Sequence, residues 1–230
     1  MNAVMTERTC AIVPAYNEGS VIAQTLRNIS KAFPLVVCVN DGSTDNTAAQ
    51  IAKTKAVLVS HPINMGQGAA LQTGIDFALQ LADVDFFVTI DADGQHSVKD
   101  AQKMVDVLKK KKTDIVLGSR FKGRAVGMTS SRRMLLRAAI AFTNRFSKIK
   151  LSDTHNGLRA FNRAFASSLR IKMSGMAHAS EIIDHIGMGG WRYKEVPVTI
   201  KYTDYSRAKG QSTLNSVNIL IDLFMSRAHK

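Results

Sequence analysis

The 230-residue chain is 45% hydrophobic and 21% charged, a composition that predicts one domain over residues 1–230 and excludes two domains of ordinary size. It contains no run approaching the roughly 18 to 20 uncharged apolar residues of a membrane helix, and its N-terminus does not resemble a signal peptide, so we expect a cytosolic protein. The formal net charge of +13 is uneven: residues 1–100 carry 6 Lys/Arg against 10 Asp/Glu, whereas residues 101–230 carry 25 against 8. The basic second half predicts an anionic partner, either an acidic membrane surface or a nucleic acid.

The first half of the chain alternates apolar runs typical of strands with segments typical of helices. Strands are predicted at 9–13, 35–40, 57–60, 85–90 and 115–118, and helices at 18–32, 45–53, 68–81 and 98–110. Alternation of this kind predicts a parallel sheet with crossover helices. Cys10 and Cys38 fall inside two of these strands without the spacing of a metal site, so we expect buried free thiols.

Beyond residue 118 the pattern changes. Residues 129–147 form a long basic amphipathic stretch, a helix is predicted near 161–169, and residues 191–202 predict a final strand pair. An amphipathic helix is predicted at 215–227, too short and polar to span a bilayer; it would lie on a membrane or pack against the domain. The sequence therefore predicts one α/β domain with a C-terminal extension.

Two aspartates, Asp91 and Asp93, directly follow the apolar run at 86–90, and Gly94 and Gln95 come next. If that run is a buried strand, these side chains lie at its carboxyl end, where open α/β sheets bind ligands. Paired oxygens on a fixed edge suit a divalent cation that also holds a phosphate. A solvated turn explains an isolated Asp-x-Asp equally well, so the neighbouring loops decide between the two.

Three further loops fall at the same predicted sheet edge. The loop VPAYNE offers Tyr16 to pack against a nucleobase and Glu18 to reach a ribose or the base, and the loop NDGSTD offers Asp41 to accept from a base N–H. Taken singly, such residues also serve turns and helix caps. The loop NMGQG permits close backbone approach to a ligand. Together the loops favour a nucleotide site.

The order of VPAYNE, NDGSTDNT, NMGQGAALQTG, DADGQH and GSR resembles the family 2 glycosyltransferases of the GT-A fold, and more closely their polyprenyl-phosphate (dolichol-phosphate mannosyltransferase-like) branch. The likeness spans about residues 9–200. It implies an α/β, Rossmann-like, mixed and mostly parallel sheet flanked by helices, with a nucleotide-sugar half at about 9–120 and an acceptor- and membrane-facing half at about 121–230. It also implies metal-dependent, inverting transfer of a hexose from a UDP- or GDP-linked sugar to a polyprenyl phosphate.

Carried over residue by residue, the resemblance implies a set of donor-binding residues. The nucleotide sugar would be bound by Pro14, Tyr16, Glu18, Asp41, Gly66 and Asp91. Asp91, Asp93 and Gln95 would hold Mg²⁺ or Mn²⁺ against the diphosphate, which eases departure of the leaving group. Arg207 and Lys209 would close over the diphosphate and stabilise its charge.

The acceptor side follows from the same resemblance. Arg120 of Gly-Ser-Arg, together with Arg132 and Arg133, would contact the acceptor phosphate, because the planar guanidinium group suits phosphate; Leu136 stands where the branch has a serine. Asp153 opens an Asp-x-x-x-Gly-Leu-Arg element and would orient the acceptor or act as base.

The catalytic residues implied are thus Asp153, Arg120 and Asp93, with Arg159 near the phosphates and His155 or Glu181 as other candidate bases. A strong base is not required, since a phosphate monoester with a second pKa of roughly 6 is already a nucleophile at neutral pH.

Alternatives stay open at this point. Transfer to a glycan or glycolipid hydroxyl would need Asp153 as a true base. A nucleotidyltransferase would bring a glycine-rich phosphate signature with a lysine or arginine, which VPAYNEGS lacks. A non-catalytic nucleic-acid-binding module would fit the basic half but not the ordered acidic site, so no nucleic-acid partner is expected.

The lipid acceptor sets the expected location. We expect a cytoplasmic protein that is peripheral at the inner face of the cell membrane, because the chain lacks a membrane helix of its own. It would reach the anionic membrane surface through its basic half, its terminal helix or a small membrane-protein partner. Self-association as a homo-oligomer is left open.

Overall fold

The computed structural model describes residues 8–173, 177–202 and Tyr205. The strands are β1 (Thr9–Ala15), β2 (Leu35–Asp41), β3 (Val57–His61), β4 (Phe86–Thr89), β5 (Ile115–Val126), β6 (Arg159–Asn162) and β7 (Tyr193–Lys201). The helices are α1 (Ile22–Ser30), α2 (Thr47–Ile51), α3 (Gln67–Leu79), α4 (Val98–Lys111), α5 (Ser130–Phe146), α6 (Arg163–Ser168) and α7 (Ala177–Gly189). Within the described residues the strands form one sheet in the order β3-β2-β1-β4-β6-β5-β7. Only β6 runs antiparallel to its neighbours, which confirms the mixed, mostly parallel sheet.

The sheet carries helices on both faces because its buried strands are apolar on both sides. Along β1, Ala11 and Val13 point to the face covered by α1 and α4, whereas Cys10 and Ile12 point to the face covered by α3, α6 and α7. Burying a side chain such as Ile12 contributes about 1.5 to 3 kcal/mol. Cys10 and Cys38 are buried free thiols, as predicted, and burial raises the pKa of the Cys10 thiol to about 12.

The helices form where apolar residues recur at helical spacing. In α1, Ile22, Leu26 and Ile29 are buried and follow one another at intervals of four and three residues. The prediction that this helix begins at residue 18 is wrong by one turn. The Glu18 carbonyl oxygen instead accepts from the backbone N–H groups of Val21 and Ile22 in the turn that opens the helix.

The helix predicted near 161–169 is confirmed as α6 at Arg163–Ser168, but residues 161 and 162 belong to β6, a strand that was not predicted. Ala160 and Phe161 pair with both β4 and β5, so tertiary pairing overrides local helix propensity. Asn162 then caps α6 by accepting from the Phe165 backbone N–H at 2.8 Å. The inserted strand brings the loop before it, residues 153–158, to the carboxyl edge of β4.

Residues 191–202 contain one strand, β7, and not the predicted strand pair. It pairs in parallel with β5, which extends to Val126 instead of ending at residue 118. Pro197 is tolerated because β7 lies at the sheet's edge. In the part of the chain described, no helix combines the length and apolarity needed to cross a membrane.

A buried carboxylate fastens β7 to the rest of the sheet. Asp114 accepts from the Arg192 backbone N–H at 3.0 Å, from Arg192 Nε at 3.0 Å and Nη2 at 2.9 Å, and from Asn162 Nδ2 at 3.0 Å. These hydrogen bonds, led by that from the Arg192 side chain, lower the pKa of Asp114 to about 2. The ionised carboxylate therefore joins the starts of β5 and β7 with the end of β6.

We expect Asp114→Asn to lower the free energy of unfolding by about 1 to 3 kcal/mol at pH 7. Because the folded-state pKa is depressed, this contribution is complete above the ordinary Asp pKa and is lost as the pH falls toward 2. Denaturant unfolding at pH 7 and pH 3 should show a smaller difference between variant and wild type at pH 3. The exposed Asp83→Asn variant is the control, and a deficit that is equal at both pH values would contradict the assignment.

Candidate functional site

A cavity of about 420 Å³ opens at the carboxyl ends of β1, β2 and β4. Its volume lies within the range of small-ligand sites. Its walls include Pro14, Tyr16, Glu18, Asp41, Gly66, Gln67, Asp91 and Asp93. The six residues predicted to bind the nucleotide sugar thus come together at one cavity, and the predicted metal ligand Asp93 joins them.

Asp41 ends β2 and acts within the fold as a clamp on the loop before α3. Its Oδ1 accepts from the Met65 backbone N–H at 2.9 Å and lies 2.7 Å from His61 Nδ1, and its Oδ2 accepts from the Gly66 backbone N–H at 2.8 Å. Gly66 has φ +92°, a conformation that favours glycine. Because the Asp41 side chain is only 3% exposed, its direct contact with a base stays a prediction.

The aspartate turn after β4 is held by amide and imidazole groups. Asp91 Oδ2 lies 2.8 Å from His96 Nε2, and Asp91 Oδ1 accepts from Gln67 Nε2 at 3.2 Å. Asp93 accepts from Gln95 twice, from the backbone N–H at 3.0 Å and from Nε2 at 2.6 Å. Asp93 and Gln95 therefore lie together as predicted. His96, the last residue of the DADGQH motif, orients Asp91, a role that the sequence analysis did not assign to it.

The pKa values of Asp91 and Asp93 shift in opposite directions. Burial and the Asp91 charge raise the pKa of Asp93 to about 6. Burial also pushes the pKa of Asp91 upward, but His96, Arg159 and His178 outweigh it and the net shift is downward. A divalent cation would relieve the repulsion between two adjacent carboxylates.

This donor set fits Mg²⁺ or Mn²⁺, which prefer oxygen ligands. No three His, Cys, Asp or Glu side chains group as metal ligands among the described residues. The protein ligands would therefore be the Asp91 and Asp93 carboxylates with the Gln95 amide, and substrate or water oxygens would complete the shell.

Arg120 lies in β5 where its pairing with β7 becomes irregular. Every nitrogen of its guanidinium group donates a hydrogen bond. Its Nε donates to Asp153 Oδ2 at 2.7 Å, its Nη1 to Tyr202 Oη at 2.9 Å and its Nη2 to the His155 carbonyl oxygen at 2.7 Å. The Arg120 backbone N–H donates to Asp153 as well, at 2.9 Å. The side chains are 9% exposed for Arg120 and fully buried for Asp153. The carboxylate therefore positions the arginine.

Tyr202, just beyond β7, joins two of the arginines predicted to bind the acceptor. Its hydroxyl accepts from Arg120, and the Arg132 guanidinium lies 4.9 Å from the centre of its ring. Arg133, the next residue on α5, is exposed. The structure thus brings Arg120 and Arg132 together, whereas Arg133 lies outside the cluster. Sequence reasoning missed Tyr202, which ends an apolar alternation and carried no motif.

The loop between Asp153 and Arg159 connects the two halves of the site. The Gly157 carbonyl oxygen accepts from Thr89 Oγ1 at 2.6 Å, at the end of β4. A Cβ at Gly157 would lie 2.4 Å from both carboxylate oxygens of Asp91, so any larger residue would have to displace that carboxylate. One end of this loop therefore holds Arg120, and the other touches Asp91.

Arg159 begins β6 beneath this loop and is 4% exposed. Burial lowers its pKa to about 10, and the charges of Asp91 and Asp153 oppose that shift. Its Nη1 has no hydrogen-bond partner among the described residues. Arg159 therefore lies inside the protein as a shared counter-ion of the two aspartates, and its predicted place near the phosphates stays a prediction.

The other candidate bases are also engaged. Burial lowers the pKa of His155 to about 4, so its ring is neutral at pH 7, and its Nδ1 lies 2.7 Å from Thr154 Oγ1. Glu181, on α7, accepts from the backbone N–H groups of Lys172 and Met173 at 2.9 Å. Backbone groups therefore occupy Glu181, whereas His155 is 9% exposed and its Nε2 has no hydrogen-bond partner among the described residues.

The predicted lid lies mostly outside the described residues, and so do Arg207 and Lys209. Tyr205, which is described, donates from its hydroxyl to Glu18 Oε2 at 2.8 Å. Tyr205, beyond β7, therefore lies beside Glu18 at the rim of the 420 Å³ cavity.

Known proteins are similar to this chain in sequence. The family model described as Glycosyl transferase family 2 matches residues 10–170. An uncharacterized protein of Methanocaldococcus jannaschii is 34% identical over 233 residues, 99% of this chain and 95% of its own. The UDP-N-acetylglucosamine–dolichyl-phosphate N-acetylglucosaminyltransferase of Methanococcus voltae is 28% identical over 95% of this chain and 96% of its own. The polyprenol monophosphomannose synthase of Mycolicibacterium smegmatis is 28% identical over 95% of this chain and 85% of its own.

Solved structures share the fold. Glucosyl-3-phosphoglycerate synthase from Mycobacterium tuberculosis, in complex with Mn²⁺, UDP-glucose and phosphoglyceric acid, matches with a TM-score of 0.68 and 17% identity. The match covers 96% of this chain and 79% of that one. At this identity the likeness shows the fold alone, and it confirms the GT-A architecture.

We expect Gly157→Ala to weaken Mn²⁺ binding by about tenfold or more, because the added methyl group must displace the Asp91 carboxylate. Isothermal titration of Mn²⁺ in the presence of UDP measures the effect. Gly187→Ala on α7 is the matched control, since its added methyl group would lie 3.0 Å from Lys148 Cβ and 3.5 Å from Ile149 Cγ2 and would not meet an aspartate. Equal Mn²⁺ affinities for the two variants would show that the loop does not constrain Asp91.

Proposed function

Because the chain belongs to glycosyl transferase family 2, we propose that it moves a hexose from a UDP- or GDP-linked sugar to a polyprenyl phosphate, with inversion at the anomeric carbon and with a divalent metal. One observation carries the proposal: the cavity lined by Tyr16, Glu18 and Asp41 opens directly onto Asp91 and Asp93. A nucleoside in this cavity would have its diphosphate at the aspartate pair.

The donor side then has a division of tasks. Tyr16 is 42% exposed and offers a ring face to the base, while Glu18 and the loop held by Asp41 form the opposite walls. Asp91, Asp93 and Gln95 would hold Mg²⁺ or Mn²⁺, which would supply Lewis-acid stabilisation of the departing diphosphate. His96 and Gln67 keep the Asp91 carboxylate oriented toward that position.

The reaction is a displacement at the anomeric carbon. An oxygen of the acceptor phosphate attacks that carbon from the face opposite the leaving group, and the bond to the nucleoside diphosphate breaks with its electron pair on the diphosphate oxygen. The site must therefore bring two anions together. Arg132 would offset that repulsion on the acceptor side, and Arg120, whose charge is paired with Asp153, holds the Tyr202 ring against which Arg132 lies.

Among the described residues, the state of the predicted bases favours phosphate over a hydroxyl as the acceptor. Asp153 is fully buried in its ion pair, Glu181 accepts two backbone hydrogen bonds, and burial lowers the pKa of His155 to about 4, which makes its ring a weak base. A sugar hydroxyl needs a base to become a nucleophile. A phosphate monoester is largely dianionic at pH 7 and needs only orientation and charge screening.

The relatives support the same acceptor class, since the enzymes of Methanococcus voltae and Mycolicibacterium smegmatis are named for dolichyl-phosphate and polyprenol substrates. A lipid acceptor places the reaction at a membrane, here the cytosolic face. The exposed side of α5 suits such a surface, because Met134 is 72% exposed and Arg133, Arg137 and Arg145 are exposed beside it. A small membrane-protein partner and self-association are further parts of the proposal.

Donor binding is tested by thermal unfolding with UDP or GDP in the presence of Mn²⁺. At 100 times Kd, a nucleotide should add about 2.7 kcal/mol of stability and raise Tm by roughly 5 to 10 °C. Asp91→Asn should abolish the shift, whereas Asp76→Asn, on the exposed side of α3, should keep it. If no nucleoside diphosphate raises Tm even with the metal, the proposed function fails.

Acceptor choice is tested by comparing a polyprenyl phosphate with the corresponding polyprenol. The phosphate should be glycosylated at least about 100-fold faster, because the alcohol lacks a base to activate it. Arg132→Gln should raise KM for the phosphate acceptor by about tenfold with little change in the donor KM.

Lys103→Gln, on the exposed side of α4, is the control for loss of one positive charge away from the acceptor side. Comparable rates with the alcohol and the phosphate would contradict the acceptor assignment. An unchanged acceptor KM in Arg132→Gln would remove that arginine from the acceptor site.

A further inference from the structure

A second cavity, of about 470 Å³, lies at the amino ends of the parallel strands. The cavity at Asp91 and Asp93 lies at the opposite, carboxyl ends. The second cavity sits between the C-terminal end of α1 and the turn that leads from α2 into β3. It is lined by Arg27, Ser30, Lys31, Lys53, Thr54 and Lys55. We name it the basic cavity.

The basic cavity concentrates charge that is scarce elsewhere in this half of the chain. Residues 1–100 contain six lysines and arginines, and four of them line it. No carboxylate is among the lining residues. Within the described part of the chain, none of the four cations forms an ion pair. The positive charge is therefore left uncompensated in an otherwise acidic half.

The four cations are exposed, so water screens their mutual repulsion, but the repulsion that is left favours a bound anion. Arg27 and Lys31 lie four residues apart along the helix axis, a spacing at which like charges repel. The dipole of α1 favours a cation at that helix end. It does not explain Lys53 and Lys55, which follow α2, a helix of only five residues. A bound anion would relieve the repulsion among all four.

The donors in the cavity specify the ligand class. Lysine and arginine side chains only donate hydrogen bonds, and the arginine fork suits phosphate oxygens. The Thr54 hydroxyl already donates to the Ile51 carbonyl oxygen at 2.7 Å and accepts from the Ala56 backbone N–H at 3.2 Å, so it fixes the rim. A neutral sugar or a cation would find few acceptors here. A ligand with two or more negative charges matches the set.

We propose that the basic cavity binds a phosphate-bearing anion, separately from the nucleotide site. The anion is either a soluble polyphosphate compound or the phosphate of a lipid headgroup. Because the parallel strands β1, β2 and β3 separate their amino edge from their carboxyl edge, occupancy of the basic cavity does not compete with a nucleotide at Asp91 and Asp93.

The double variant Lys53→Gln/Lys55→Gln tests this site, with pyrophosphate as the probe in metal-free buffer. Isothermal titration should show pyrophosphate binding to the wild type and a loss of about tenfold or more in affinity in the variant. Lys103→Gln/Lys110→Gln, two exposed positions on α4, removes the same charge and should bind as the wild type does. Equal affinity in all three proteins, or no pyrophosphate binding, would overturn the proposal.

Co-sedimentation with phosphatidylcholine vesicles, with and without phosphatidylglycerol, distinguishes the two sources. A headgroup ligand predicts that the cavity variant loses binding to the anionic vesicles and that the control retains it. A soluble ligand predicts loss of pyrophosphate affinity alone. Melting curves without ligand check that each variant folds. UDP–Mn²⁺ binding should be unchanged in the cavity variant, so a failure here is distinct from a failure of the proposed function.

Discussion

The buried ion pair between Arg120 and Asp153 is the contact on which the acceptor side of the site depends. It removes an arginine and an aspartate from water together, and either charge alone would be strongly destabilising there. The pair is completed by hydrogen bonds to Tyr202 and to the His155 carbonyl oxygen, so it fixes the end of β7 and the loop before β6 at once. Because that loop continues to Gly157, against Asp91, the same ion pair also sets the position of the loop on the donor side.

Arg159 extends this coupling into the interior. It lies under both aspartates: its charge lowers the pKa of Asp91, and the charges of Asp91 and Asp153 in turn favour its own protonated form. The donor edge and the acceptor edge therefore share one counter-ion, inserted between β4 and β5 by the antiparallel strand β6. A purely parallel sheet would bring β4 and β5 side by side and leave no position for this arginine. The change of strand direction is thus part of how the site is built.

The positions of the donor-side residues could be predicted from the sequence. Each donor-side loop follows a predicted strand, and the adjacent predicted strands fit the same alternation of strands and helices. Pro14, Asp41 and Asp91 could be placed at one edge from alternation alone, since parallel strands end on the same side. The acceptor half depends on pairings that no local pattern encodes. Residues 159–162 are too few and too mixed to predict a strand, and only their pairing with β4 and β5 makes them one. His61, His96 and Tyr202 were missed for the same reason, because each acts through a partner distant in sequence.

The net charge of the basic half overstates the number of cations that are available to a partner. Several arginines of this half already bind groups of the fold: Arg163 donates to the carbonyl oxygens of Leu81 and Val84, Arg192 binds Asp114, and Arg120 binds Asp153. The charge available to a ligand or membrane is carried by the exposed cations, which include Arg133, Arg137 and Arg145 on α5. Conversely, the acidic first half concentrates its few cations in one cavity. An anion is therefore recognised by cations that lie close together without ion-pair partners. The net charge of either half of the chain is a poor predictor of where such a site lies.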